Sequence, residues 1–111
     1  MCNDKMLLLN SFIGKSKKIF GKSLVKAILY GSYARGDFNG NSDMDIMFLT
    51  TWQDDEIKKI ENDIYDLAYE YMLNDGVLIS INIINVEHFY YWLDTLPYYN
   101  NVNREGLVLA G

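Results

Sequence analysis

The apolar residues Leu8, Leu9, Phe12, Ile13, Ile19 and Phe20 recur mostly at three- and four-residue spacing, with lysines between them. That period predicts an amphipathic helix over residues 5–20, which Gly21 ends. Residues 24–30, Leu-Val-Lys-Ala-Ile-Leu-Tyr, form a short apolar run that stops at Gly31. Such a run predicts a buried strand. Residues 36–42 are dense in turn formers and read as a loop. From 43 to 50 the pattern alternates, with Asp43, Asp45 and Met47 set against Met44, Ile46 and Phe48. This is the period of a second strand.

Residues 54–74 carry one long stripe of Ile57, Ile60, Ile64, Leu67, Ala68, Tyr71 and Met72. They predict the clearest helix, started by a Thr50–Gln53 capping box or by Asp54 and stopped by Asn74-Asp75-Gly76. Residues 77–86 read as a third strand, and 87–94 as a short helix capped by Glu87. The tail from Leu96 to Gly111 is aromatic and then apolar, and is expected to pack back on the core. Strands separated by a long helix imply a crossover, hence an α/β fold with a small mixed sheet flanked by helices.

Composition narrows the functional classes. A chain of 111 residues predicts a single domain spanning 1–111. With half of its residues apolar it has enough to bury a core. The formal net charge of −5 argues against broad, charge-driven nucleic-acid binding. The local exception is a candidate basic patch at Lys15, Lys17, Lys18, Lys22 and Lys26. The single cysteine, Cys2, has no internal disulfide partner and fits a reducing compartment. No apolar stretch approaches the ~20 residues that span a bilayer, and the N-terminus lacks a signal-peptide pattern. The expectation is a soluble cytoplasmic protein.

The chemistry lies in Gly31-Ser32-Tyr33-Ala34-Arg35-Gly36, followed by Ser42-Asp43-Met44-Asp45. Asp43 and Asp45 are two apart on a strand, so their side chains leave the same face. Paired carboxylates are costly unless a cation or donor offsets them, and oxygen ligands suit Mg²⁺. Gly31 at a strand end lets backbone approach a ligand closely, and Ser32 can hydrogen-bond a phosphate oxygen. Arg35 either neutralises phosphate or is a solvated loop residue; it is carried as a nucleotide-binding candidate. A nucleoside triphosphate with Mg²⁺ satisfies both halves of the site.

Gly-Ser, ten intervening residues and then Asp-x-Asp resembles the signature of the DNA polymerase β-like nucleotidyltransferase superfamily. The short length, the wording Gly-Ser-Tyr-Ala-Arg-Gly and the tail from Tyr98 to Gly106 resemble its minimal nucleotidyltransferase branch. The resemblance implies transfer of a nucleoside monophosphate, AMP from ATP for example, to a hydroxyl. Asp43 and Asp45 match the family's catalytic metal ligands, and Gly31 and Ser32 its phosphate-contacting pair. Such domains are often encoded beside HEPN ribonuclease toxins and act as antitoxins, in some cases by adenylylating the toxin. The implied partner is therefore a HEPN-type toxin, and the acceptor hydroxyl is expected on it. One departure favours an alternative, a catalytically weak or inactive antitoxin-type module that only sequesters the toxin. The family's third carboxylate is expected on the third strand, where Asn82 is the candidate equivalent with Ser80 on the same face. An amide ligates metal weakly and cannot act as a general base. Glu87 follows the strand and is not expected to reach.

Other features read as ordinary structure. His88 has no second His or Cys partner for zinc and is expected at or near the surface. Arg104 reads as a surface or packing residue. Tyr90, Tyr91, Trp92, Tyr98 and Tyr99 are expected to pack in the core, with any exposed part a partner surface. Gly14-Lys15-Ser16 and Gly21-Lys22-Ser23 fail as P-loops because neither follows a strand at the required spacing.

Overall fold

A computed structural model describes residues 3–31 and 43–110. Helix α1 (Asn3–Phe20) leads through a single 3₁₀ turn into strand β1 (Leu24–Tyr30). Strand β2 (Met44–Thr50), helix α2 (Asp54–Asp75) and strand β3 (Ile79–Asn85) follow. A short helix α3 (Val86–Tyr91), helix α4 (Pro97–Glu105) and strand β4 (Leu107–Ala110) complete the order. The sheet runs β3-β2-β1-β4. β1 is antiparallel to β2 and β4, and β2 is parallel to β3. The long helix between β2 and β3 is the crossover that a parallel pair requires. The mixed α/β architecture expected from the pattern is the one observed.

Alternation along β2 sorts its side chains between two packed layers. Met44, Ile46 and Phe48 face α1 and α2, where they meet Leu9, Phe12, Phe20, Ile64, Ala68 and Tyr71. Phe48 is fully buried, with ring centroids 5.0 Å from Phe20 and 6.1 Å from Phe12. Met47 and Leu49 face the other way and pack with Ile28, Phe89, Tyr99 and Val102, so α3 and α4 cover the second face. Helices on both faces explain why the strands read as nearly continuous apolar runs.

Several local expectations are corrected. The N-cap of α2 is Gln53, in extended geometry, with a reciprocal capping box to Glu56. Thr50 is instead fully buried, and its hydroxyl accepts from the Trp52 backbone N–H at 3.2 Å. The cap of α3 is Asn85 rather than Glu87, and the helix ends at Tyr91 rather than Asp94. The tail is more than packing material, since it supplies a nine-residue helix and an edge strand paired with β1. The aromatic cluster divides: Tyr99 is buried, while Tyr90, Tyr91, Trp92 and Tyr98 are exposed. Lys15 and Lys26 do not share one patch. Lys15 lies over the Tyr71 ring on the α1–α2 side, whereas Lys26 donates to Tyr90 on the α3–α4 side. Among the described residues no helix is long and apolar enough to cross a membrane.

Candidate active site

The row of side chains on the α3–α4 face of β2 changes character along its length. Its later members, Met47 and Leu49, are covered by Phe89, Tyr99 and Val102. Its first members, Asp43 and Asp45, lie beyond that cover; Asp43 is exposed and Asp45 half-buried. Register fixes their neighbours. The antiparallel ladder puts Tyr30 opposite Asp45, and the parallel ladder puts Ser80 opposite Asp45 and Asn82 opposite Met47. One end of the sheet thus assembles Tyr30 from β1, Asp45 from β2 with Asp43 just ahead of it, and Ser80 with Asn82 from β3.

Hydrogen bonds hold this group. The Ser80 hydroxyl donates to Asp43 Oδ2 at 3.2 Å, which steadies a carboxylate one residue ahead of β2. The Asn82 amide nitrogen donates to the Tyr98 hydroxyl at 3.1 Å. The Tyr98 and Tyr30 hydroxyls bond each other at 2.6 Å, and their rings meet edge-on with centroids 5.8 Å apart. Burial pushes the Tyr30 phenol above its ordinary value, and the Tyr98 hydroxyl and the Asp45 charge push it further. Tyr30 therefore stays protonated at neutral pH and cannot serve there as a base.

Gly31 closes the arrangement against Asp45. Its φ of +75° lies in the left-handed region that glycine adopts most easily. A Cβ at this position would also run into the Asp45 carboxylate. The backbone favours glycine here, and any side chain would have to push the Asp45 carboxylate aside. Ser32 and Arg35 lie outside the described residues. Gly31 lies against Asp45, Asp43 is two residues from Asp45 along the chain, and Asn82 is on the same face but opposite Met47 rather than Asp45. Glu87 is exposed in the first turn of α3. His88 is exposed and makes ring contacts with Trp92 and Tyr99. Arg104 is exposed.

Two contributors were not legible as site residues. Tyr30 looked like the last residue of a buried strand, and only the register with β2 sets it beside Asp45. Tyr98 looked like one of an aromatic group. The available signal was Pro97 at a helix start, with Tyr98, Asn101 and Glu105 at helical spacing behind it. Beside Gly31 a hollow of about 180 Å³ is lined by Tyr30, Gly31, Tyr98, Asn101, Val102 and Glu105. A larger hollow of about 240 Å³ lies between α1 and α2, on the other side of the sheet from Asp45.

The donor set suits a hard divalent cation. Among the described residues no three His, Cys, Asp or Glu side chains converge. Two carboxylates with nearby hydroxyl and amide oxygens leave ligand positions for water and phosphate, the arrangement Mg²⁺ favours.

The profile of the family described as "Polymerase beta, Nucleotidyltransferase" matches residues 14–91, which span α1 to α3 and the whole acidic site. The chain belongs to this family. It is a nucleotidyltransferase, of a fold whose members generally use a divalent metal. "Putative protein adenylyltransferase MJ0604" of Methanocaldococcus jannaschii is 31% identical over 101 residues, 91% of this chain and 93% of that one. A second protein of that organism, "Putative protein adenylyltransferase MJ1305", is 35% identical over 78 residues, 65% of this chain and 53% of that one. The nucleotidyltransferase also shares its fold with a structure described as a toxin–antitoxin with AMP-PNP. The TM-score is 0.56 at 21% identity, over 92% of this chain and 73% of that one. An aspartate-to-glutamate double mutant of the toxin–antitoxin MntA–HpeT gives a TM-score of 0.55 at 19% identity, over 92% and 73%.

Proposed function

We propose that this nucleotidyltransferase transfers AMP from Mg-ATP to a hydroxyl on a partner protein. Asp43 and Asp45 hold the Mg²⁺, and Gly31, Ser32 and Arg35 contact the phosphates. The observation that carries the reading is the carboxylate pair Asp43 and Asp45 on one face beside Gly31, whose missing side chain leaves room for the Asp45 carboxylate. The relatives named as protein adenylyltransferases support a protein as the acceptor. Bound Mg²⁺ would screen the phosphate charge and favour departure of pyrophosphate. In the transfer, the acceptor oxygen bonds to the α-phosphorus, the bond from that phosphorus to the bridging oxygen breaks, and the acceptor proton is released. Neither Asn82 nor protonated Tyr30 can take that proton, and Asp43 and Asp45 are committed to the cation, so it passes to solvent.

The acceptor docks from outside the domain. Tyr90, Tyr91, Trp92 and Leu96 are exposed on and just after α3, on the same side of the sheet as Asp45, and favour a protein partner there. A HEPN-type toxin is the partner we infer, in keeping with the toxin–antitoxin assemblies that share the fold. Asn82 at the position of the expected third acid favours a second reading, in which the domain sequesters the toxin with little or no turnover.

The experiment incubates the protein with Mg²⁺, α-labelled ATP and a HEPN-type toxin. Transfer of label that disappears in Asp43→Ala and Asp45→Ala supports the enzyme. No transfer from the unmodified chain, with partner binding unchanged in both variants, refutes it and leaves the sequestering module.

A further inference from the structure

We propose that the outer edge of β3 receives an extended segment of a partner protein, apolar in its middle and cationic at its flanks, as a fifth strand. β3 ends the sheet, and among the described residues no strand pairs with its far side. The ladder fixes which backbone groups face outward. The Leu78 carbonyl accepts from the Met44 N–H at 2.9 Å. From there the parallel register runs without a shift, from Met44 opposite Ile79 to Thr50 opposite Asn85. Bonding groups alternate along such a pair, so Ser80, Asn82 and Ile84 turn theirs toward β2. Ile79, Ile81 and Ile83 turn theirs outward, at the spacing a further strand needs.

Edge strands are usually guarded by charge, proline or a bulge. β3 has none of these: no charged residue and no proline occurs from Gly76 to Val86, and its register is regular. The flank beside it is apolar. Tyr65, Ala68, Tyr69 and Met72 of α2 form, with Leu78 and Ile79, a hollow of about 180 Å³. Tyr65, Tyr69 and Leu78 are exposed there. A strand added to the edge lays alternate side chains into this hollow, on the face of the sheet that α2 covers.

Charge decides the occupant. α2 carries eight acidic residues and two basic ones, and both lysines, Lys58 and Lys59, lie in its first two turns, ahead of the hollow. Glu61 continues the stripe of Tyr65 and Tyr69 at four-residue spacing, and Asp66 is exposed beside it. A second copy paired through β3 would set two such acidic helices side by side on one face of the joined sheet, where they repel. A segment with Lys or Arg flanking an apolar middle satisfies the hollow and the field together. This surface is separate from the exposed aromatics that follow β3, and its occupation does not depend on the transfer reaction.

The test adds three synthetic peptides to the full chain. The first is Val-Thr-Val-Thr-Val flanked by a pair of lysines at each end. The second has glutamates for the lysines, and the third is the lysine peptide with every amide N-methylated. Fluorescence anisotropy should show the lysine peptide bound about tenfold more tightly than either of the others, which lose the charge attraction or the strand hydrogen bonds. With the lysine peptide at saturation, hydrogen exchange at the Ile79, Ile81 and Ile83 amides should slow about tenfold. The Ser80, Asn82 and Ile84 amides, already turned to β2, should change little. Leu78→Ser, at an exposed residue of the hollow, should weaken the lysine peptide about threefold or more, with its melting temperature reporting the fold. Equal affinity for the three peptides, or slowed exchange only at other residues, overturns the proposal. So does slowed exchange at the same three amides that rises with protein concentration alone, the result a second copy would give.

Discussion

Replacing Gly31 by alanine separates backbone strain from a steric push on Asp45, because Gly76 provides a control. Both glycines adopt left-handed backbone, with φ of +75° and +70°. A Cβ on Gly76 meets nothing within 4 Å, whereas one on Gly31 meets the Asp45 carboxylate. Gly76→Ala should therefore lose only the left-handed penalty, about 1 kcal/mol. Gly31→Ala should lose a similar amount, because the atom in the way is the free end of the Asp45 side chain and can swing aside. Urea unfolding measures both. The carboxylate must also move, and displacing a ligating group weakens metal binding by about 10–100-fold. Mg²⁺-dependent ATP binding should fall by that order in Gly31→Ala and stay unchanged in Gly76→Ala. Full Mg²⁺-dependent binding in Gly31→Ala would refute the claim that Gly31 makes room for Asp45.

Other changes test the supports of the site. Ser80→Ala removes the 3.2 Å bond to Asp43 and should weaken Mg²⁺ binding about tenfold, with Ser80→Thr restoring part of it. Asn85 is buried, caps α3 through Glu87 and His88, and donates to the Trp52 carbonyl at 2.9 Å. Asn85→Ala should destabilise by about 2–4 kcal/mol in denaturant titration, the sum of a lost cap and an unpaired carbonyl. Tyr30 binds its proton more tightly when folded than when unfolded, where tyrosine titrates near about 10. The folded state then holds the proton over a range where the unfolded chain releases it, so stability is complete below pH about 10 and falls as pH rises above it. Unfolding measured between pH about 9 and 11 should show a shallower fall in Tyr30→Phe, and identical slopes would contradict the burial assigned to Tyr30.

Local periodicity carried much of this structure. Strand β1 spans the residues its apolar run indicated, and α2 and the body of α1 follow the 3.6-residue stripe. Alternation in β2 put Asp43 and Asp45 on one face, and the ten-residue gap after Ser32 marked the family. These are short-range signals, set by neighbours within a few turns of chain. The tail's signal was weaker, Pro97 at a helix start with no apolar stripe behind it. α4 is rich in asparagine, a poor helix former, and β4 is only four residues long and half exposed. Both are held by the sheet they contact, α4 through Tyr99 and Val102, and β4 through its ladder with β1. Tyr30 meets Tyr98 across 68 residues, and Ser80 meets Asp43 across 37. The sequence by itself therefore determined the family, the two central strands and the acidic pair. Only the tertiary structure decided what surrounds that pair, because strand register and helix docking are fixed by contacts between residues far apart in the chain.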